Sequence, residues 1–329
     1  MKNILLIAGL SEAYYFDPFV DACKSRDINI FLFDPLRFPG EANIALSLDN
    51  AGKIEGFIDV LLYKIGHSEI VRLPIQDIHT AWYLREGDDT AKRKKSLEWR
   101  FARNESRATL HSLYSTLPCK WINKKETLDF VTSNKFFQQQ IALQSGLLVP
   151  PTLISNDHDS LIELAESKNG LLLKSLGYID LDKNGEYFLY SEKFSKDEIS
   201  KSRESVQSCP VFAQEYIEKL YEYRVMAIGD KILSCRIDSQ SSKMTKVDWR
   251  HYDFANVEHL QVELPQDVNE KLLVFMKKIG LRYGAIDLIE TPEGKFIFLE
   301  INPSGQWGWI HDFAHLPIPE AVADMLDLV

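Results

Sequence analysis

The chain has 329 residues, 45% hydrophobic and 26% charged, which is enough apolar material for two or three cored domains. No apolar run approaches the ~20 residues of a membrane-crossing helix, and 38 basic against 48 acidic residues give a net charge of −10, which argues against a general nucleic-acid binder. Cys23, Cys119, Cys209 and Cys235 are scattered without a Cys-x-x-Cys pair, so neither a disulfide framework nor a zinc site is indicated and a reducing, cytoplasmic setting is expected.

MKNILLIAGL reads as a first β-strand, because no signal-peptide cleavage pattern follows it. Up to residue 85, short apolar runs (NILLIAG, INIFLFDP, VLLYKIG, TAWYLR) alternate with helix-like stretches such as FDPFVDACKSR, the pattern of an α/β domain with a mostly parallel sheet. A long helix is expected near Ser96–Tyr114. Residues 92–107 hold Lys92, Arg93, Lys94, Lys95, Arg100, Arg103 and Arg107 against Glu98 and Glu105, either a solvated helix face or a docking surface for something acidic.

A second, α+β unit is expected over 121–210. Ser133 can cap a helix, Asn134–Ser145, that stops at Gly146, and Pro150-Pro151 then enforce an extended exit. Strands LLLKS and EYFLY flank a loop with Gly177 and Gly185, and Ser195 with Glu198 forms a capping box for the next helix. In the third unit, 211–329, VFAQEYI, YEYRVMAIG and KILSCRID read as consecutive strands, the last two joined at Gly229-Asp230. A helix over Asp267–Ile279 ends at Gly280, and Thr-Pro-Glu-Gly joins two further strands, YGAIDLIE and KFIFLEIN.

The last hairpin carries the most specific chemistry. If Glu290 faces Lys295 across the turn, Asp287 lies opposite Phe298, with Glu300 one diagonal step away and Asn302 on the same face. Ile286, Leu288, Ile297, Leu299 and Ile301 then form the other, apolar face. One reading has the polar residues face water across a half-buried sheet. Alternatively, two carboxylates and an amide oxygen converge on a cation, and hard oxygen ligands of this kind suit Mg²⁺. The Gly- and Trp-rich PSGQWGW that follows favours a loop shaped around a ligand. His67, His251, His311 and His315 show no metal spacing; His311 and His315 read as packing residues on one helix face, and Trp307 and Trp309 either flank the site or fill a core.

Asp287 followed by Glu300-Ile301-Asn302-Pro303 resembles the metal-binding signature of the ATP-grasp superfamily, whose members activate a carboxylate as an acyl phosphate and pass it to a nucleophile. That resemblance implies an N-terminal parallel-sheet domain (1–120) and two α+β units clasping ATP. It also implies that Lys135 and Lys174 contact ATP phosphates, that Gln214-Glu215-Tyr216-Ile217 receives adenine largely through backbone groups, and that Glu222 binds the ribose. Arg224 and Arg236 match arginines directed at the phosphates and the reacting carboxylate in the RimK-like branch, and the loop Ser175–Glu186 is the expected cover that folds over the phosphates as the two ATP-binding units close.

TAWYLR at 80–85, KWIN at 120–123 with NKFFQQQIALQSGLLVPPTLISND, and Ile237-Asp238-Ser239-Gln240 with Asp248-Trp249-Arg250 are together similar to the graspetide synthetases, which include the microviridin and plesiocin ligases. This narrower resemblance implies macrocyclisation of a ribosomally made, acidic precursor peptide. An Asp or Glu side chain is phosphorylated by ATP, then captured by Thr or Ser as an ester or by Lys as an amide. Two Mg²⁺ at Asp287, Glu300 and Asn302 would balance the triphosphate together with Lys135, Lys174 and Arg236. Asp238, Asp248 and Arg250 are the candidates for the peptide side, an aspartate to take a hydroxyl proton and Arg250 to hold the acyl oxygen or the peptide's carboxylates, unless the three form a loop-stabilising salt bridge. Two alternatives stand beside this reading: a RimK-like ligase that adds an amino acid to a protein or small molecule, and a catalytically silent nucleotide- or peptide-binding module. A homodimer is the default expectation for a soluble enzyme.

Overall fold

In the computed structural model, a strand buried on both faces sits at the centre of the first sheet. The described residues are 1–10, 16–64, 66, 68–86, 96–166, 170–176, 191–249, 253 and 256–329. They divide into two compact units, one of Met1–Glu126 with Pro317–Val329, the other of Thr127–Leu316.

In the first unit β1 (Lys2–Ala8) is fully buried from Ile4 to Ala8. It pairs in parallel with β2 (Ile28–Phe33) on one side, reached through helix α1 (Asp17–Lys24). The continuous apolar run suits such a doubly covered strand. The remaining strands are β3 (Ile44–Leu48), β4 (Ile54–Leu62), β5 (Glu69–Pro74), β6 (Thr80–Arg85) and β7 (Lys120–Trp121). Among the described residues the order is β3-β4-β2-β1-β6-β7, with β5 also on β4. The half holding β1, β2, β6 and β7 is parallel, as the alternation implied. The half built on β4 is an antiparallel meander, which the alternation did not imply. Parallel pairing needs a crossover of about a dozen residues or more, and the short links from β3 to β5 allow only reversal.

Helix α2 (Leu97–Thr116) starts where Ser96 accepts a hydrogen bond from the Trp99 amide. Arg100, Arg103 and Arg107 lie on it, whereas Lys92–Lys95 fall outside the described residues. Helix α3 (Lys125–Thr132) carries the chain into the second unit. All four cysteines are unpaired thiols, and burial pushes Cys23 and Cys235 up to about 12 and Cys119 to about 11, so these three are inert at neutral pH.

The second unit opens with α4 (Lys135–Gln144). Its cap is Asn134, whose Oδ1 accepts from the Phe137 amide, and not Ser133 as expected. Then come β8 (Thr152–Ser155), α5 (His158–Glu166), β9 (Leu171–Lys174), β10 (Glu192–Phe194), α6 (Lys196–Ser200), α7 (Arg203–Ser208) and β11 (Val211–Glu215). Their antiparallel sheet has the order β10-β9-β11-β8. One face packs Leu171 and Ala213 against Leu161, Ala165, Ile199 and Val206 of the helices. The capping box at Ser195 and Glu198 is formed. The segment EYFLY and most of the Ser175–Glu186 loop lie outside the described residues.

A second antiparallel sheet, ordered β14-β13-β12-β15-β16, contains β12 (Tyr221–Ile228), β13 (Lys231–Ile237), β14 (His259–Val262), β15 (Tyr283–Glu290) and β16 (Phe296–Asn302). VFAQE was expected to lead directly into this sheet, yet β11 belongs to the other one. Residues 216–220 separate β11 from β12, so the chain leaves one ladder before joining the next. Helix α8 (Gln266–Ile279) covers one face with Leu272, Phe275 and Met276 on Ile286, Leu288 and Phe298, and Gly280 closes it in the left-handed region, φ 77°. Helix α9 (Gly308–Ala314) ends at His315, itself left-handed at φ 53°. His315 therefore caps the helix and does not share a face with His311, whose Nδ1 contacts the Leu316 carbonyl. Helix α10 (Ile318–Leu328) belongs to the first unit, where Arg26 Nε donates to Asp324 Oδ1 at 2.9 Å. Among the described residues no helix is long and apolar enough to cross a membrane.

Candidate functional site

The β15–β16 hairpin builds the centre of the site, by a route that simple counting misses. The Thr291 amide donates to the Lys295 carbonyl at 2.9 Å, and Gly294 sits at φ 75°, so the loop has three residues and not the expected four. Leu288, not Asp287, therefore faces Phe298. Continued unbroken, this register would put Asp287 opposite Leu299 and Glu300 on the other face. A bulge beside Leu288 restores the arrangement: Asp287 stands directly opposite Glu300, and Ala285 opposite Asn302. The core face is accordingly Ile286, Leu288, Phe298 and Ile301. Ile289 and Leu299 turn instead to the cleft.

Two neighbouring carboxylates repel unless countercharge is at hand. Arg224 on β12, in register with Asp287, donates from Nη1 to its Oδ1 at 2.9 Å. Lys135, the first residue of α4, places Nζ 3.2 Å from Glu300 Oε2. The Arg224 Nε is buried without a partner, as an anion receptor with spare capacity would be. The position of α4 is set by two amides: Gln138 binds the Ile301 N–H and C=O at 2.9 and 3.1 Å, and Gln139 donates to the Leu299 carbonyl at 2.6 Å. Together they cover the outer edge of β16 as a neighbouring strand would.

Asp287 and Glu300 lie on one wall of an open cleft. Leu172, Lys174 and Gln214 come from one face of β9 and β11, and Glu215, Tyr216 and Ile217 continue the lining. Pro150, Ile289 and Leu299 add flat apolar surface. The lining mixes apolar surface with a dense set of charged side chains, Lys174, Lys219, Glu222, Asp248, Asp287 and Glu300, as a site for a charged small molecule would. The Gln214 Nε2 donates to Thr152 Oγ1 at 3.0 Å while its Oε1 is buried and unpartnered. Lys193 lies 4.0 Å above the Tyr216 ring, and burial raises the Tyr216 phenol above its usual range.

Glu222 is buried, and burial pushes its carboxyl upward against the opposing pull of Lys219, whose Nζ is 2.7 Å from Oε1. Asp248, also buried in the lining, accepts from the Ser191 amide at 3.2 Å. Trp249 follows it, its ring 4.9 Å from that of Trp309.

Several solved structures superpose on nearly the whole chain. A RiPP-associated ATP-grasp ligase of Chryseobacterium gregarium, in complex with ADP and a leader and core peptide, matches with a TM-score of 0.86 at 23% identity, covering 99% of this chain and 96% of that one. The macrocyclase MdnC of Microcystis aeruginosa MRC, bound with its precursor peptide MdnA, matches at 0.82 and 26% identity, over 99% and 100%. The ATP-grasp ligase PsnB, complexed with a minimal precursor variant, Mg and ADP, matches at 0.72 and 19%, over 98% and 97%. The chain has the ATP-grasp fold. Its resemblance to the peptide-modifying ligases of that fold runs from end to end, as the sequence motifs implied. No protein-family model and no curated protein matches the sequence.

Within the ATP-grasp framework most of the expected residues come together. Lys174, Gln214–Ile217, Glu222, Asp248, Asp287 and Glu300 line one cleft, and Lys135 and Arg224 bind its two carboxylates. Asn302 shares the Asp287–Glu300 face but is exposed, its Oδ1 accepting from the Ser304 amide at 3.0 Å.

Arg236 is a correction. It is in register with Tyr223, on the face opposite Arg224, and its guanidinium stacks 4.4 Å from the Tyr221 ring, because strand alternation turns it away from the carboxylates. Asp238 is also outside the cleft lining. Its backbone bonds Glu258 and Ser241 just beyond the end of β13. Arg250 and His251 lie outside the described residues. Sequence reasoning missed Lys219, Gln138 and Gln139. The Gln-rich run after Lys135 was a usable signal for the glutamines; Lys219 had none.

Among the described residues no group of three His, Cys, Asp or Glu side chains forms a metal cluster. The donor set nonetheless fits a hard cation, since two opposed carboxylates and the remaining lone pair of the Asn302 amide oxygen share one face.

Proposed function

We propose that the chain is an ATP-dependent ligase that closes side-chain rings in a ribosomally made, acidic precursor peptide. One observation carries this: Asp287 and Glu300 stand opposed, gripped by Arg224 and Lys135, in a cleft that also holds Lys174, Glu222 and the Gln214–Ile217 segment. The pattern is what phosphoryl transfer needs, namely positioning and charge neutralisation more than covalent help. Adenine would lie against Gln214–Ile217, the ribose on Glu222, and the phosphates toward Lys174, Lys135 and Arg224. Asp287, Glu300 and Asn302 would hold Mg²⁺, which when bound supplies positive charge to the triphosphate.

A substrate carboxylate attacks the γ-phosphorus and ADP leaves. A Thr or Ser hydroxyl, or a Lys amine, then attacks the acyl phosphate; inorganic phosphate leaves and the nucleophile gives up its proton. Asp248 is the aspartate of the expected peptide-side group that lines the cleft, and with Arg250 it completes that side of the reading. A three-part division, with its second boundary moved from 210/211 to the 216–220 linker because β11 pairs with β8 and β9, two Mg²⁺ per site, a cytoplasmic setting and a homodimer belong to the same proposal.

The test is product mass. The purified protein is incubated with ATP, Mg²⁺ and candidate peptides rich in Thr, Asp and Glu, and each closed ring removes one water. A product enlarged by an amino acid would replace this reading with the RimK-like one. Absence of ADP formation with every peptide and amino acid would leave only a binding module.

A further inference from the structure

We propose that Lys219 is a positioning residue of the nucleotide site, holding the Glu222 carboxylate charged and aimed into the cleft so that both ribose hydroxyls can donate to it. The inference rests on the ATP reading above and deepens it. Lysine is almost never fully buried unless paired, yet the Lys219 and Glu222 side chains are each only 6% exposed, with Nζ 2.7 Å from Oε1. A second Lys219 bond, 2.9 Å to the Val247 carbonyl, fixes the ammonium from the other side. All three residues line the cleft, and Lys219 lies in the linker that joins the two sheets of the second unit.

The charge state of Glu222 decides what it can bind. An ionised carboxylate accepts from two hydroxyls, whereas the protonated form turns one oxygen into a donor. The groups facing it do not agree. Burial and the nearby Asp248 carboxylate favour the neutral form, Lys219 and the Ser239 hydroxyl favour the charged one, and the Tyr216 phenol is a further ionisable neighbour. Lys219 is the ammonium paired with this carboxylate, and it opposes the net upward push of burial. Removing it should raise the Glu222 pKa further, so at neutral pH the ribose would meet a neutral acid, and only alkali would restore the carboxylate.

The experiment compares binding of ATP and 2′,3′-dideoxy-ATP, by calorimetry from about pH 6.5 to 9, for the wild type, Lys219→Met, Lys219→Arg and Glu222→Gln. Charge-assisted bonds to the hydroxyls should give the wild type a preference for ATP of roughly 10- to 100-fold. In Lys219→Met this preference should shrink to a few-fold near neutrality and return as pH rises, while dideoxy-ATP affinity stays within about twofold. Lys219→Arg, which keeps the charge, should retain it.

A purely structural bolt between the linker and Val247 would weaken both nucleotides equally at every pH, and that result overturns the proposal. So does an undiminished preference in Lys219→Met at neutral pH. If Lys219→Met does not fold, Lys219→Arg decides against Glu222→Gln. Loss of preference in a folded Lys219→Arg to the Glu222→Gln level refutes the charge argument, and retention supports it. A wild type that binds neither nucleotide, or binds both alike, refutes instead the nucleotide reading on which the proposal stands.

Discussion

Gln138→Leu is the most direct probe of how the site is held. β16 is the last strand of its sheet among the described residues, so the Ile301 N–H and C=O point away from β15 and are satisfied by the Gln138 side chain, at 2.9 and 3.1 Å. The same Nε2 donates to Val131 O at 2.8 Å, a carbonyl that keeps its second bond from Asn134. Leucine fills similar space but satisfies none of these groups. Two orphaned buried backbone groups at ~1–3 kcal/mol each, partly offset by the added apolar contact, put the loss at about 3 kcal/mol. In a unit of this size that corresponds to a fall in Tm of roughly 6–12 °C. Lys135 sits one turn earlier on the same helix and binds Glu300, so turnover should fall beyond what partial unfolding explains. Thermal melts with and without ATP, alongside ADP release, measure both effects. A Gln138→Leu protein that melts within about 2 °C of wild type would refute the edge-pairing argument, because surface-like changes stay within ±0.5 kcal/mol.

Further outcomes follow from other parts of the structure. A Cβ at Gly305 would lie 2.2 Å from Ala285 Cβ and 2.8 Å from Arg224 Nη2, so Gly305→Ala should cost ~1–3 kcal/mol and push Arg224 off Asp287. Adding Ala285→Gly should recover part of the turnover, and wild-type kinetics in the single variant would show that the loop and Arg224 do not share that space. Lys174→Ala should impair ATP use more than peptide binding; unchanged ATP affinity and turnover would remove it from the phosphate wall. In the first unit the Arg72 hydrogen bond holds Asp59 below the usual carboxylate range, although Arg72 is largely exposed. Its stabilisation, up to ~1 kcal/mol after solvent screening, is full above the unfolded pKa and is lost as pH falls through the lower folded one. Asp59→Asn should therefore narrow its stability gap to wild type on acidification, and a widening gap in denaturant melts would contradict the pairing.

Much of this protein is legible locally. The continuous apolar run of β1 marks a strand covered on both faces, Gly280 marks the end of α8, and the Ser195–Glu198 box marks the start of α6, because each depends on residues within a few positions of one another. The Asp287, Glu300 and Asn302 pattern was visible for the same reason: a short turn and two-residue alternation nearly suffice to place them. The register was not, since the three-residue loop and the compensating bulge differ from a regular hairpin by one residue each, and both are settled by which side chains the α8 core accepts.

Composition and motif order by themselves determined the α/β class and the nearness of the carboxylates. Only the tertiary structure decided that β11 joins a different sheet from β12, that α10 returns to the first unit, that Arg236 faces away, that Lys219 pairs with Glu222, and that Gln138 and Gln139 bind the edge of β16. These are contacts between residues distant in sequence or in irregular chain. Their energy comes from burial and from satisfying otherwise orphaned polar groups, which no local periodicity records.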